Sequence, residues 1–335
     1  MFNGDRTGWT SHTTLTTSYT GSLCHGIIKG WHHSHVRATE CEIQYTNTLN
    51  LFTSTDTVTT KDTFIWIDYD GWRRFIDWKL WFVIFKTNIT YTELLGKFLQ
   101  FTCAIYMAGL QILGFADHTP YPFPGGYVSN FRMSVFQLED YALTVQHLKQ
   151  KYASQIQIYL GVEAEYYPKY FPQMLDLLRE NRVQYMILGQ HMIGNEMGEP
   201  YCGHPNGSTH VLEQYCNQSI DAMYTGLFTY FAHPDLIHFT GSKQVYQQQL
   251  RRVCKAANEC GMPVELNLLG MQGNRHYPNR DFWEVAAEEN CRVIMGMDAH
   301  QPQALLDTEV QQRGREFLKG YGLTPMETVT LRSIR

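Results

Sequence analysis

The sequence has no long apolar run. Its most apolar window, residues 80–85, spans six residues, whereas a membrane-spanning helix needs about 20. The N-terminus also lacks a basic segment followed by an apolar core, which is the pattern of a secretory signal. We therefore expect a cytoplasmic protein that has no membrane partner.

Positive charge is in short supply as well. The formal net charge is −5 and the calculated pI is about 6.3, which argues against a nucleic-acid partner because nucleic-acid-binding surfaces are basic. The eight cysteines include no Cys-x-x-Cys pair. A chain of 335 residues buries a core without disulfides, so reduced thiols are expected. The oligomeric state cannot be read from the sequence.

The N-terminal part differs in composition from the rest. Sixteen of the first 63 residues are threonine, and the apolar residues follow neither a period of 2 nor one of 3.6, which is typical of poorly ordered or weakly β structure. An aromatic stretch follows, in which the alternation at residues 64–67 predicts a strand. We expect residues 1–83 to form an irregular extension and residues 84–335 to form the main domain.

Beyond this extension, strand-like and helical segments alternate. The predicted strands are at residues 110–113, 156–160, 185–188, 228–231, 264–267 and 293–295. The predicted helices include residues 93–108, 134–152, 168–181, 243–260 and 281–290. This alternation is typical of parallel β/α units. It predicts an α/β chain in which the carboxyl ends of the strands share one rim.

Histidines and carboxylates follow most of these strands. They are His118, Glu163, His191, His233, Asp298 and His300. One such residue alone is ordinary, as a buried histidine with a partner or a helix cap, but six at equivalent positions indicate a common site. Imidazoles and carboxylates are ligands for zinc, manganese or iron, and no cysteine site competes with them. The sequence therefore predicts a centre of divalent metal ions, a chemistry suited to a small phosphorylated substrate.

Six short segments carry a resemblance to a known family. They are residues 114–120 (GFADHTP), 161–166 (GVEAEY), 188–191 (LGQH), 232–236 (AHPDL), 265–267 (ELN) and 297–300 (MDAH). From about residue 84 onward the chain resembles the PHP (polymerase and histidinol phosphatase) family, and most closely its stand-alone histidinol-phosphatases. The resemblance implies a distorted seven-stranded β/α barrel with up to three metal ions. It also implies hydrolysis of L-histidinol phosphate to L-histidinol, a step of histidine biosynthesis.

The resemblance further implies how the metal ligands are shared. One ion would be held by Glu163, His191 and His233, and a second by Glu93, His118 and His300. A third would keep only Glu163 and Asp298, because Lys86 and Asn88 stand where the family has a His-x-His motif. The expected cofactors are therefore two to three divalent ions.

Lys86 and Asn88 leave two alternatives open. An ammonium repels a cation unless burial deprotonates it, and an amide offers only a neutral oxygen. Either His33 and His35 fold back to replace the missing imidazoles, or the centre binds two metals and is impaired. We expect impairment, since nothing in the intervening sequence specifies such a contact.

Four residues are candidates for contact with the substrate. Arg275, with Arg132 as second choice, would clamp the phosphate, although a surface role fits either arginine equally well. Asp117 or Asp235 would orient an imidazole or pass a proton to the leaving group, and Asp117 fits a helix N-cap as well. Two competing interpretations remain. One is a phosphoesterase for another small phosphoester or a nucleotide, and the other is a degenerate barrel that binds metal or phosphate without turnover.

Restoring the two histidines tests the register of the altered motif. A double variant, Lys86→His with Asn88→His, is expected to raise kcat for histidinol phosphate by at least about tenfold, because even residues that only support a ligand change activity by that much. Steady-state phosphate release and metal content per chain are the measurements. The control is Lys86→Gln with Asn88→Gln, which removes the ammonium without adding a ligand. An unchanged rate in the histidine variant would contradict the proposed register.

Overall fold

The computed structural model describes residues 98–105, 109–198 and 201–335, together with four short strands among the first 67 residues. The chain divides into two compact units, residues 1–94 and 95–335. The domain boundary expected after residue 83 stays a prediction.

The first unit contains a four-stranded antiparallel sheet. Its strands are Lys29–Gly30 (β1), Thr39–Glu42 (β2), Leu49–Thr53 (β3) and Thr63–Ile67 (β4), which are neighbours in chain order. The longest pairing joins β3 to β4, from Leu49 opposite Ile67 to Thr53 opposite Thr63. Threonine favours strands, which explains how a segment without a clear hydrophobic period forms a sheet.

The second unit contains a curled parallel sheet of seven strands with helices between them, a distorted β/α barrel. The strands are Ile112–His118 (β5), Gln157–Ala164 (β6), Tyr185–Leu188 (β7), Phe228–Phe231 (β8), Val264–Asn267 (β9), Val293–Gly296 (β10) and Pro325–Met326 (β11). They are hydrogen-bonded in chain order. Because all strands run the same way, their carboxyl ends lie on one rim.

Helices connect these strands. A helix at residues 98–105 (α1) is followed by Leu138–Lys151 (α2), Phe171–Glu180 (α3), Thr209–Tyr224 (α4), Lys243–Glu259 (α5), Leu268–Gln272 (α6), Arg280–Glu288 (α7) and Thr308–Gly320 (α8). In α2, Tyr141, Val145 and Leu148 recur at helical spacing and are buried. The Tyr141 hydroxyl also donates a hydrogen bond of 2.7 Å to the carbonyl of Gly161 in β6. Within the described residues, no helix combines the length and apolar character that a membrane crossing requires.

The predicted barrel is confirmed, and three of its strands, β7, β8 and β9, have the predicted bounds. Strand β5 is longer than predicted, because it pairs with β6 along its whole length, from Ile112 opposite Gln157 to His118 opposite Glu163. Strand β11 and helices α6 and α8 were not predicted. A strand of two residues gives no periodic signal, and a five-residue helix gives little more.

Candidate metal centre

The carboxylate of Glu163 lies among three imidazoles. Its Oε1 is 2.9 Å from His233 Nε2 and 3.6 Å from His191 Nε2, and its Oε2 is 3.8 Å from His118 Nδ1. The ring centroids of His118 and His191 are 5.0 Å apart, and those of His191 and His233 are 4.9 Å apart. The central prediction, that residues far apart in sequence meet at the rim, therefore has direct support in the contacts of Glu163.

Strand ends place these side chains. His118 closes β5 and is paired in register with Glu163 of β6. His191 comes three residues after β7, and His233 two residues after β8. The backbone of His233 has φ of +32°, a conformation that is strained for a residue with a side chain. The carboxyl end of β8 thus bends sharply at the residue that carries the imidazole.

Close packing around Glu163 requires a glycine nearby. Gly189 follows β7, and a Cβ atom added there would overlap the carboxylate of Glu163. The sequence pattern Leu-Gly-Gln-His at residues 188–191 therefore combines the space for one ligand with the position of another. A larger residue at position 189 would displace the carboxylate from the cluster.

Two groups of three side chains in the described residues could hold a metal ion. Within each group, the ligand atoms lie within 4.8 Å of one another. The groups are Glu163, His191 and His233, and His118, Glu165 and His191. The first group is the set that the family resemblance implies for one ion, whereas Glu165 was not predicted as a site residue.

The residues fit a divalent metal ion. His118 Nδ1 is buried and has no hydrogen-bond partner in the structure, which is costly for a polar atom unless a ligand satisfies it. Imidazole nitrogens and carboxylate oxygens together suit zinc, manganese or iron. A cation would satisfy the nitrogen and compensate the buried charge of Glu163 at once.

The imidazoles of the cluster keep the Glu163 carboxyl ionised. Burial opposes ionisation of Glu163, but His118, His191 and His233 outweigh it and hold the pKa of that carboxyl well below its usual range. Burial lowers the pKa of His233, yet its hydrogen bond to Glu163 prevails and raises the pKa to about 9. The carboxylate is thus set to remain negative, as a metal ligand must be.

A second buried carboxylate, Glu165, holds His191. Its Oε1 is 2.9 Å from His191 Nδ1, and its Oε2 accepts a hydrogen bond of 2.9 Å from Arg132 Nη1. Burial opposes ionisation, but Arg132 and His191 outweigh it and lower the pKa of Glu165 to about 2. Glu165 stands two residues after Glu163 in the sequence, and this spacing at the end of β6 is a signal that could have identified it.

A third carboxylate, Glu265, holds the backbone of His233. Its Oε2 accepts hydrogen bonds of 2.9 Å from the His233 amide and 3.1 Å from Asn267 Nδ2. Asn267 Nδ2 also donates to Asp298 Oδ2 at 3.0 Å. Burial raises the pKa of Glu265 to about 7. These contacts link the ends of β8, β9 and β10, and Asp298, a predicted ligand, is joined to the cluster through Asn267.

The structure does not bring the two catalytic candidates into the cluster. Asp117 is exposed and precedes His118 on β5, so strand alternation directs its side chain to the opposite face. Asp235 is buried and accepts hydrogen bonds from the Asn279 amide at 2.6 Å and from Trp283 Nε1 at 3.2 Å. Burial raises the pKa of Asp235 to about 6. These contacts make Asp235 an anchor for the start of α7.

The other predicted residues have varied positions. The side chain of His300 is 64% exposed, its Nδ1 is 2.9 Å from the carbonyl of Asp298, and it belongs to neither ligand group. Outside the described residues lie Glu93, Lys86, Asn88, His33 and His35. The predicted second and third ions therefore stay predictions.

The two candidate phosphate-binding arginines differ in accessibility. The side chain of Arg132 is 1% exposed and is enclosed by carboxylates. Arg275 is exposed, donates a 2.6 Å hydrogen bond to the Tyr277 hydroxyl, and lines a cleft of about 470 Å³. The Tyr277 ring is 6.1 Å from that of His233. Arg275 is thus accessible and is linked to His233 through the Tyr277 ring, whereas Arg132 is buried.

Comparison with known proteins gives consistent results. Residues 104–268 match the family model described as the PHP domain. A probable histidinol-phosphatase from Deinococcus radiodurans is 27% identical over 214 residues, which cover 61% of this chain and 80% of that relative. Histidinol phosphate phosphatase from Lactococcus lactis, solved with zinc, L-histidinol and phosphate, has a TM-score of 0.54 and 16% identity, covering 70% of this chain and 90% of its own. At that identity the structural likeness establishes a shared fold.

Replacing Glu163 tests whether the cluster binds metal. Even residues that only orient a ligand contribute about 10–100-fold to metal affinity, so we expect Glu163→Gln to weaken zinc and manganese binding by at least ~100-fold. Isothermal titration calorimetry measures the affinities. Glu139→Gln, at an exposed position of α2, is the matched control. Binding of equal strength in the Glu163 variant and the control would refute the assignment.

Proposed function

We propose that this chain is a metal-dependent phosphatase of the PHP family that hydrolyses L-histidinol phosphate to L-histidinol. The observation that carries the proposal is the group of Glu163, His191 and His233 at the carboxyl ends of β6, β7 and β8. The sequence relative from Deinococcus radiodurans, named a probable histidinol-phosphatase, supports this substrate. A phosphate monoester is the class of substrate that such a centre serves best.

The chain's own residues would hold the ions. Oε1 of Glu163 faces His191 and His233, and Oε2 faces His118. The two carboxylate oxygens therefore face different imidazoles. When bound, zinc, manganese or iron ions would activate water as Lewis acids and neutralise phosphate oxygens. Glu165 fixes the ring of His191, and Glu265 fixes the backbone of His233.

Arg275 would bind the phosphate. Its guanidinium is held by the Tyr277 hydroxyl at 2.6 Å, and Tyr277 in turn packs beside His233. A guanidinium matches the geometry of phosphate oxygens and compensates the charge that grows on them during displacement. In the reaction, water adds to phosphorus, the ester bond breaks, and the alcohol leaves after gaining a proton.

A second candidate function is metal or phosphate binding without turnover. The observation that favours it is the presence of Lys86 and Asn88 where related phosphatases are expected to have histidines. This alternative and the phosphatase share the Glu163 centre and differ only in turnover.

A phosphatase assay separates the two functions. Purified protein loaded with zinc or manganese is given L-histidinol phosphate, other small phosphate monoesters and a nucleoside monophosphate, and phosphate release is measured. We expect release from histidinol phosphate, loss of release with chelator or with Glu163→Gln, and full release with Glu139→Gln. A metal-loaded protein that hydrolyses none of the substrates would support the binding function. Preferential hydrolysis of another phosphate would support a different phosphoesterase.

Replacing Arg275 tests the phosphate clamp. Arg275→Met is expected to raise KM for the substrate and Ki for inorganic phosphate by about 10–100-fold, which is the loss of a charge-assisted contact worth roughly 1.5–3 kcal/mol. Tyr277→Phe is the matched control, because it removes the hydrogen bond and keeps the guanidinium. An unchanged Ki for phosphate in Arg275→Met would contradict the role, as would an equal effect of Tyr277→Phe.

A further inference from the structure

We infer that Arg132 is a positioning residue of the metal centre: by binding one oxygen of Glu165, it makes Glu165 orient His191 instead of binding a metal ion. This inference rests on the metal-binding part of the proposed function and adds a residue whose role differs from the one that the sequence predicted.

The contacts form an unbroken chain from Arg132 to His191. Arg132 Nη1 donates 2.9 Å to Glu165 Oε2, and Glu165 Oε1 is 2.9 Å from His191 Nδ1. The side chains of Arg132 and Glu165 are 1% and 0% exposed, and that of His191 is 10% exposed. Water therefore does not compete for these hydrogen bonds, and each group depends on its neighbour for compensation of charge.

Arg132 has further polar partners. Its Nε donates 2.7 Å to Glu196 Oε2, and its Nη1 also donates 2.8 Å to the carbonyl of Thr119. Its Nη2 is buried and lies 2.6 Å from Glu196 Oε2, an ion-pair contact without a hydrogen bond. A phosphate could reach this guanidinium only if two buried carboxylates lost their cation, which is strongly unfavourable. Arg132 is therefore excluded as a phosphate clamp by its surroundings.

The hydrogen bonds from Arg132 through Glu165 to His191 also indicate which of the two candidate groups binds the metal ion. Both include His191, but only one includes Glu165. The two oxygens of Glu165 are bound to Arg132 and to His191 Nδ1, while His191 Nε2 faces Glu163 at 3.6 Å. A histidine ligand commonly binds a metal through one nitrogen and donates the other N–H to a carboxylate. Glu165 accordingly orients the imidazole of His191 and does not bind the ion. The ion site is the group of Glu163, His191 and His233.

Arg132 also joins three loops around the site. It lies in the loop after β5, Glu165 directly follows β6, and Glu196 lies in the loop after β7. The Arg132 guanidinium packs on the ring of Phe131, with Arg132 Cζ 4.4 Å from the ring centroid. The Phe131 ring also lies edge-on to the imidazole of His118, with the two ring centroids 5.4 Å apart. Loss of the guanidinium would therefore release His191 and loosen the neighbourhood of His118.

The experiment measures metal affinity and phosphate affinity separately. Zinc and manganese affinities of Arg132→Met, Glu165→Gln and the double variant are determined by chelator competition, and the absorption spectrum of the cobalt-loaded protein reports ligand geometry. We expect each single variant to lose about 10–100-fold in metal affinity and the cobalt spectrum to change. The double variant should lose no more than the single variants, because Arg132 acts through Glu165. With saturating metal, Ki for inorganic phosphate should stay within about threefold of the original.

Three results would overturn the inference. Unchanged metal affinity with a raised phosphate Ki would make Arg132 a phosphate ligand. Additive losses in the double variant would show that Arg132 does not act through Glu165. The third result is that Arg132→Met binds more metal ions per chain while its affinity at the Glu163 site is unchanged. This would show that Arg132 only prevents an additional ion from binding.

Two further variants separate an effect on folding from an effect on metal binding. If Arg132→Met fails to fold, Arg132→Lys is used instead, because it retains the positive charge and loses the planar set of guanidinium N–H donors. We expect Arg132→Lys to weaken metal binding less than Glu165→Gln does. Glu196→Gln removes a charged partner of Arg132 and leaves its contact with Glu165, so it should weaken metal binding less than Glu165→Gln does; a loss equal to that of Glu165→Gln would contradict the inference. Because metal affinity needs no substrate, these results stand even if the protein hydrolyses no histidinol phosphate.

Discussion

The site depends on one buried negative charge, the carboxylate of Glu163, surrounded by the imidazoles of His118, His191 and His233. A buried carboxylate is strongly unfavourable unless positive or polar partners compensate it. The parallel sheet supplies them, because the residues at the carboxyl ends of strands β5 to β8 lie on the same rim. Gly189 leaves the space that the carboxylate occupies. A divalent cation would complete this arrangement, since it would compensate the charge of the carboxylate and give the buried nitrogen of His118 a partner.

Two further carboxylates keep the imidazoles in place, and each works through a different group. Glu165 holds the ring nitrogen of His191, whereas Glu265 holds the backbone amide of His233. Their compensation also differs. Arg132 keeps Glu165 charged, whereas Glu265 accepts hydrogen bonds from the side-chain amide of Asn267 and the backbone amide of His233, and burial raises its pKa. The ring of one ligand is thus fixed by an ionic network, and the backbone of the other by hydrogen bonds.

The rim and much of the candidate cluster could be predicted from the sequence, and the differences that the structure shows have physical reasons. Residues at the ends of parallel strands must share an edge, so His191 and His233 could be identified from strand positions alone. The sequence predicts that the strand before Asp117 ends at residue 113, but β5 continues to His118, and alternation along it directs the aspartate to the opposite face. The direction of Arg132 depends on Glu196, 64 residues away, and no local pattern encodes that contact.

Anomalous diffraction from crystals soaked in zinc tests the account most directly, because it locates an ion without reference to activity. We expect a peak at the zinc edge about 2.0–2.2 Å from Glu163 Oε1, His191 Nε2 and His233 Nε2, with Glu165 hydrogen-bonded to His191 Nδ1 and Arg132. A peak coordinated by Glu165, or soaked crystals with zinc only at surface histidines, would contradict it.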